Sequence, residues 1–167
     1  MKPNTGAKQT SETHLPLRLA RRARIAIIYS NYYRDMTERL RKKCVETLLR
    51  AGTPAANIDQ VSVPGCFEIP FVAQRLAAGR KYHALVALGI VIRGRTHHFD
   101  LVASECARGV MQVSLKYNTP VVFEVLATDN RRDALLRAGN NSSNKGIEAA
   151  QTALSLLNTL HQIGDGR

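Results

Sequence analysis

Tryptophan is missing from this chain of 167 residues, and cysteine is scarce, with only Cys44, Cys66 and Cys106. An odd, sparse set without Cys-x-x-Cys spacing argues against a disulfide framework or a structural zinc site and fits a reducing compartment. No apolar run approaches the ~20 residues that span a bilayer. The first residues are polar, with no apolar segment ahead of a small-residue cleavage site, so no secretory signal is expected and the cytoplasm is the expected location. Acidic residues are also few: 13 Asp and Glu stand against 24 Lys and Arg, for a net charge of +11. Six of those cations (Lys2, Lys8, Arg18, Arg21, Arg22, Arg24) and one acid, Glu12, fall within the first 24 positions. Pro3, Gly6 and Pro16 interrupt that segment and it lacks hydrophobic periodicity. Residues 1–23 therefore read as a flexible basic arm and 24–167 as one folded domain. A basic arm can touch nucleic acid or an anionic surface. No RNA-recognition motif or interleaved aromatic pattern accompanies it, so neither a specific nucleic-acid partner nor a membrane is expected. The remaining positive charge suits small anionic substrates.

What the chain does contain is a regular alternation of element types. Residues 25–29 form a short β-branched apolar run suited to a buried strand. Met36, Leu40, Cys44 and Leu48 then recur every four positions, so 35–50 is an amphipathic helix stopped by Gly52. Ile58, Val61 and Val63 mark a second strand ended by Pro64-Gly65. Ile69, Val72, Ala73, Leu76 and Ala77 give a second helix ended by Gly79. Residues 84–92 are the third strand, and Leu101, Val102, Cys106, Val110 and Val113 the third helix. After the turn at Asn118-Thr119-Pro120 come a fourth strand at 121–126, a short helix capped by Asp129 or Asn130, and a last helix through Ile147, Ala150, Leu154, Leu157 and Leu160. Strands alternating with helices imply a parallel sheet with right-handed crossovers and helices on both faces. The expected fold is a flavodoxin-like three-layer α/β/α sandwich with a four-stranded parallel sheet. Ligands in such folds sit beyond the carboxyl ends of the strands, which here means 30–33, 64–68, 90–98 and 127–130.

Those four segments hold the residues fit for chemistry. The stretch 90–100 reads Ile-Val-Ile-Arg-Gly-Arg-Thr-His-His-Phe-Asp, an apolar strand running into a basic loop. His98 can accept and return a proton near neutrality, because an unperturbed imidazole titrates near ~6.5. Arg93, Gly94, Arg95 and Thr96 resemble a phosphate-binding turn, although without the Gly-Lys-Ser/Thr of a P-loop; a surface turn with solvated arginines is the other reading. Adjacent histidines with no carboxylate–histidine spacing do not make a metal site. Cys66, Phe67 and Glu68 follow Pro64-Gly65 where a helix opens and its free N–H groups could meet a polar ligand edge. Nothing local activates Cys66 as a nucleophile. Tyr32 and Tyr33 could stack on a flat heterocycle or pack against a neighbouring subunit. Arg137 and Lys145 are ordinary surface cations unless an anionic substrate lies close.

Four ordered motifs tie these pieces together: Val63-Pro64-Gly65-Cys66-Phe67-Glu68-Ile69-Pro70, the stretch from Ala87 to Asp100, Thr119-Pro120-Val121-Val122-Phe123, and Arg137-Ala138-Gly139 followed by Asn144-Lys145-Gly146. From Arg24 to the last helix the chain resembles the lumazine synthase family of riboflavin biosynthesis. The resemblance implies condensation of 5-amino-6-(D-ribitylamino)uracil with 3,4-dihydroxy-2-butanone 4-phosphate, with no metal or redox cofactor. It implies that Tyr32 stacks on the pyrimidine, that Cys66, Phe67 and Glu68 hold the ribityl chain, and that Ile90, Val91 and Ile92 offer backbone to the uracil. His98 would be the proton donor and acceptor, Arg95 and Thr96 the phosphate turn, and Arg137 the cation that pairs with that phosphate. Phe123 and Lys145 would come from the adjacent subunit of a homopentamer or higher assembly, with riboflavin synthase as a candidate partner.

The chain departs from the family pattern at several points. Ile90 stands where threonine is common, Ser30-Asn31-Tyr32-Tyr33 replaces a usual Arg-Phe-Asn or Arg-Trp-x, and Arg95 is bulkier than the common residue. The loop from Gly139 to Lys145 lacks a lysine frequent in shell-forming members, and Pro16 removes a backbone donor from the arm they use between subunits. A pentamer without the full shell is expected. The altered first loop also motivates a competing reading, a flavin- or lumazine-binding protein of the same fold with weak or no activity.

Overall fold

Four apolar segments become the strands of one sheet: β1 (Ile25–Ser30), β2 (Ile58–Val63), β3 (Ala84–Ile92) and β4 (Val121–Thr128). The structure is a computed structural model that describes residues 16–164; Lys2, Lys8 and the rest of the expected arm up to residue 15 lie outside the described residues. All strand pairs are parallel, in the order β2-β1-β3-β4. β3 is buried at eight consecutive positions, as a central parallel strand covered on both faces must be.

Side chains alternate between two cores because successive strand residues point to opposite faces. Ile25 and Ile27 of β1 face a core built with α2 (Arg34–Arg50), α5 (Arg131–Arg137) and α6 (Lys145–Gln162). Ala26 and Ile28 face the other, built with α3 (Ile69–Ala78) and α4 (His98–Tyr117). The expected flavodoxin-like α/β/α sandwich is therefore the observed architecture. Helix contacts depend on glycine at two points. A Cβ at Gly146 would overlap the Leu40 carbonyl oxygen, so α6 and α2 touch through their backbones. A Cβ at Gly109 would lie 2.7 Å from Pro70 Cβ, so α4 rides directly on the start of α3. Pro70 is tolerated there because a first-turn residue has no intrahelical N–H bond to lose.

The structure corrects two expectations. Residues Leu17–Arg22, read as part of the arm, form a short helix, α1. Ala20 and Ala23 bury in the core beside β1, and the Pro16 carbonyl accepts the N–H groups of Leu19 and Ala20. Leu17, Leu19 and Ala20 among arginines give no helical apolar repeat that would betray a six-residue helix. His98, read in a loop, is the first residue of α4. The apolar repeat read from the sequence begins only at Leu101, three residues beyond the start of the helix.

Candidate active site

The carboxyl ends of β1, β2 and β3 open onto a cavity of about 640 Å³. Its walls come from Tyr32 and Tyr33 after β1, from the turn Gly65 to Glu68 after β2, from Ile90 to Ile92 of β3, and from Gly94, Thr96, His98, Phe99, Leu101 and Val102.

Tyr33 supplies the N-cap of α2: its carbonyl accepts from the N–H groups of Met36 and Thr37 and from the Thr37 hydroxyl. Its ring meets that of Tyr32 edge to face, with centroids 5.0 Å apart and planes at 80°. Tyr32 is thus steadied from one side while 75% of its surface stays open, a state in which a ring can stack on something flat.

The turn after β2 is a 3-10 helix, Cys66–Glu68, closed by a 2.9 Å hydrogen bond from the Gly65 N–H to Glu68 Oε2. Phe67 projects from it, 58% exposed. Cys66 points inward, with Sγ 3.7 Å from the Ile90 carbonyl oxygen. Burial pushes its thiol pKa up, opposed in part by Ser30 and by the Ile90 main chain. The sulfur is a neutral packing group, as expected of a cysteine that nothing activates. The turn can approach β3 because the facing residue is Gly89, where a Cβ would lie 2.5 Å from Cys66 Sγ.

Ile90 is 2% exposed and its side chain belongs to the core shared with α2 and α6. What it offers the cavity is main chain, so the hydroxyl of a threonine there would lie in the core. Beyond Ile92, the loop arginines separate. Arg93 is engaged: Nε donates to Asp129 Oδ1 at 3.0 Å, Nη1 donates to both oxygens of Asp100 at 3.1 and 3.3 Å, and its guanidinium stacks 4.1 Å from the centroid of the Phe99 ring. Those carboxylates raise its pKa further, Asp129 foremost. The two loop arginines therefore differ: Arg93 is engaged, whereas Arg95 is exposed on the same loop and has no carboxylate contact among the described residues. Thr96 Oγ1 accepts a long 3.4 Å hydrogen bond from the His98 N–H. The exposed His98 imidazole therefore stands at the opening of a helix of 20 residues, where free N–H groups and the helix dipole favour an anion.

Of the residues singled out in the sequence, the cavity gathers Tyr32, Cys66, Phe67, Glu68, Ile90, Val91, Ile92, Thr96 and His98. Arg95, Arg137, Phe123 and Lys145 are not in its walls. Arg137 ends α5, exposed, with Nη1 donating to the Asp133 carbonyl at 3.3 Å. Lys145 begins α6 and pairs with Glu148 at 2.6 Å. Phe123 sits opposite Ala87 in the β3–β4 ladder, three residues below the rung that joins Ile90 to Leu126, or about 10 Å down the strand. Sequence reasoning missed Phe99, Leu101 and Val102 as cavity walls. Leu101 and Val102 carried only a helical core signal, yet Leu101 is 62% exposed. No helix among the described residues is long and apolar enough to cross a membrane.

A family model for 6,7-dimethyl-8-ribityllumazine synthase matches residues 22–161. That span takes in all four strands and every residue of the cavity wall. With its sheet, its cavity and most of its length inside the match, the chain belongs to the 6,7-dimethyl-8-ribityllumazine synthase family and is an enzyme of the transferase class.

Proposed function

We propose that the protein condenses 5-amino-6-(D-ribitylamino)uracil with 3,4-dihydroxy-2-butanone 4-phosphate to give 6,7-dimethyl-8-ribityllumazine, phosphate and water, the penultimate step of riboflavin biosynthesis. The observation that carries this reading is the single cavity that joins an open tyrosine ring, the backbone of β3 and an imidazole at a helix start. Tyr32 stacks on the pyrimidine, and the main chain of Ile90, Val91 and Ile92 takes its polar edge. Cys66, Phe67 and Glu68 line the path of the ribityl chain. Thr96 with Arg95 holds the phosphate, and Arg137 supplies a further cation to it.

The chemistry asks little of the protein beyond placement and proton movement. The 5-amino nitrogen adds to the ketone carbon and a water leaves, forming an imine. Loss of a proton then expels phosphate; the enol that remains returns to a ketone by proton transfer. The ribitylamino nitrogen closes the ring on that ketone and a second water leaves. His98 takes and returns protons in these steps. Cations and helix N–H groups around the leaving phosphate stabilise the charge it carries away. Holding two substrates side by side provides much of the acceleration.

The working unit is a homopentamer in which Phe123 and Lys145 complete a neighbour's cavity. Support comes from the apolar side chains left open on α3, α4 and β4, namely Phe71, Leu101, Met111, Leu115 and Phe123. It also comes from the position of Phe123, too far down the strand to reach its own cavity. The enzyme works in the cytoplasm, a placement supported by its three free, buried cysteines. Incubating the protein with both substrates tests the reading: lumazine fluorescence should develop as phosphate is released. Tight riboflavin binding without product would make the protein a flavin binder instead.

A further inference from the structure

We propose that Arg93 is a positioning residue that fixes the phosphate-side loop and His98, and that it does not itself bind the phosphate; the proposal rests on the reaction proposed above. Arg93 leaves β3 where the cavity wall becomes the loop 94–97. Its main-chain N–H is held by the Thr128 carbonyl at 2.9 Å, at the end of β4. Its guanidinium spans to Asp129, immediately before the Asn130 that caps α5, and to Asp100 and Phe99 in the first turn of α4. One side chain thus ties the segment bearing Thr96 and His98 to the segment leading to Arg137.

Charge argues against direct phosphate binding. The guanidinium already faces two carboxylates, so the cluster presents a net negative charge to an incoming dianion. Global stability is not its main effect either. The side chains of Arg93, Asp100 and Asp129 are 45%, 48% and 78% exposed, and ion pairs that open to water contribute little to folding. What the arrangement provides is orientation. A planar fork that meets two carboxylates and lies over a ring has one preferred pose, which a lysine cannot reproduce.

The test compares wild type with Arg93→Met, Arg93→Lys, Asp129→Asn and the Arg93→Met/Asp129→Asn double variant, by steady-state kinetics, thermal unfolding and amide hydrogen exchange. Arg93→Met should lower kcat roughly 10–100-fold, the scale set by small misplacements, with a smaller change in KM for the phosphate substrate. Asp129→Asn should lower kcat in the same direction, and the double variant should be no worse than Arg93→Met alone, the non-additivity expected of one network. Arg93→Lys should recover only part of the loss. Exchange at residues 94–100 should quicken in Arg93→Met while the melting temperature changes little. A raised KM at unchanged kcat, or an Asp129→Asn variant that binds the phosphate substrate more tightly, would make Arg93 an anion ligand and overturn the proposal. So would rate losses that simply track the melting temperature, or unaltered exchange at 94–100. Failure of the wild type to form lumazine would sink the proposed reaction instead, leaving the exchange result to judge Arg93.

Discussion

The backbone of Gly146, in the first turn of α6, lies directly against the carbonyl oxygen of Leu40 on α2. Asn144 sets that approach. Its side-chain oxygen accepts the Gly146 N–H at 2.8 Å, while its amide donates to the Gly139 carbonyl at 2.6 Å. Gly146→Ala should therefore force the helices apart and destabilise the protein by about 1–3 kcal/mol, the usual range for overpacking. Thermal unfolding should show it as a loss of about 2–4 °C per kcal/mol in a chain of this size. An unchanged melting temperature would mean that α6 can shift freely on α2.

A second test concerns the end of the sheet away from the cavity. Asp59 Oδ2 accepts from Lys81 Nζ and from the Tyr82 hydroxyl, each at 2.6 Å. Those hydrogen bonds, Lys81 first, hold its carboxyl below the usual range. A carboxyl depressed in the native state gives stability that is complete above its unfolded pKa of ~3.9. That stability is lost as pH falls through the lower native value. Urea unfolding should find Asp59→Asn slightly less stable than wild type near neutral pH, with the gap closing in acid. A gap that widened in acid would contradict the pairing.

The three thiols should be silent in the native protein. Burial pushes Cys44 and Cys106 up to about 12 and raises Cys66, and the thiolate is the reactive form. An alkylating reagent near neutral pH should label none of them until denaturant is added, when all three should react. Rapid native labelling at Cys66 would show that the turn Cys66–Glu68 opens readily.

His98→Ala should lower kcat by about 10²-fold, the lower end of the general acid–base range. Stability should stay put, since the imidazole is exposed. Lumazine fluorescence reads the rate, and an unaltered rate would remove His98 from proton transfer.

Much of this was legible in the sequence for a simple reason. A fully buried parallel strand such as β3 is an unbroken apolar run, and α2 repeats its apolar residues every fourth position. Period alone separates the two. The cavity was legible because topology brings strand ends together, so Tyr32, Cys66, Ile90 and His98 could be grouped without knowing a distance. Three things were hidden. Helix α1 buries only Ala20, and one alanine carries almost no pattern. The engagement of Arg93 depends on Asp129, which is 36 residues from it in the chain. The role of Gly89 depends on a sulfur from a different strand end. Long-range pairings of this kind leave no local periodicity to read.

Helix α4 runs about 30 Å from His98 at the cavity to Tyr117. Leu101, in the cavity wall, and Leu115, near the far end, are both exposed and are separated by about four helical turns, so they share one side of the helix. A lineage adapting this side of α4 to water would begin to erode the wall of the cavity at Leu101. One adapting the cavity to a different molecule would disturb the surface along which the helix meets its surroundings. In the proposed pentamer one ridge of α4 would therefore serve two purposes, so that a change in how subunits meet would bring with it a change in the cavity.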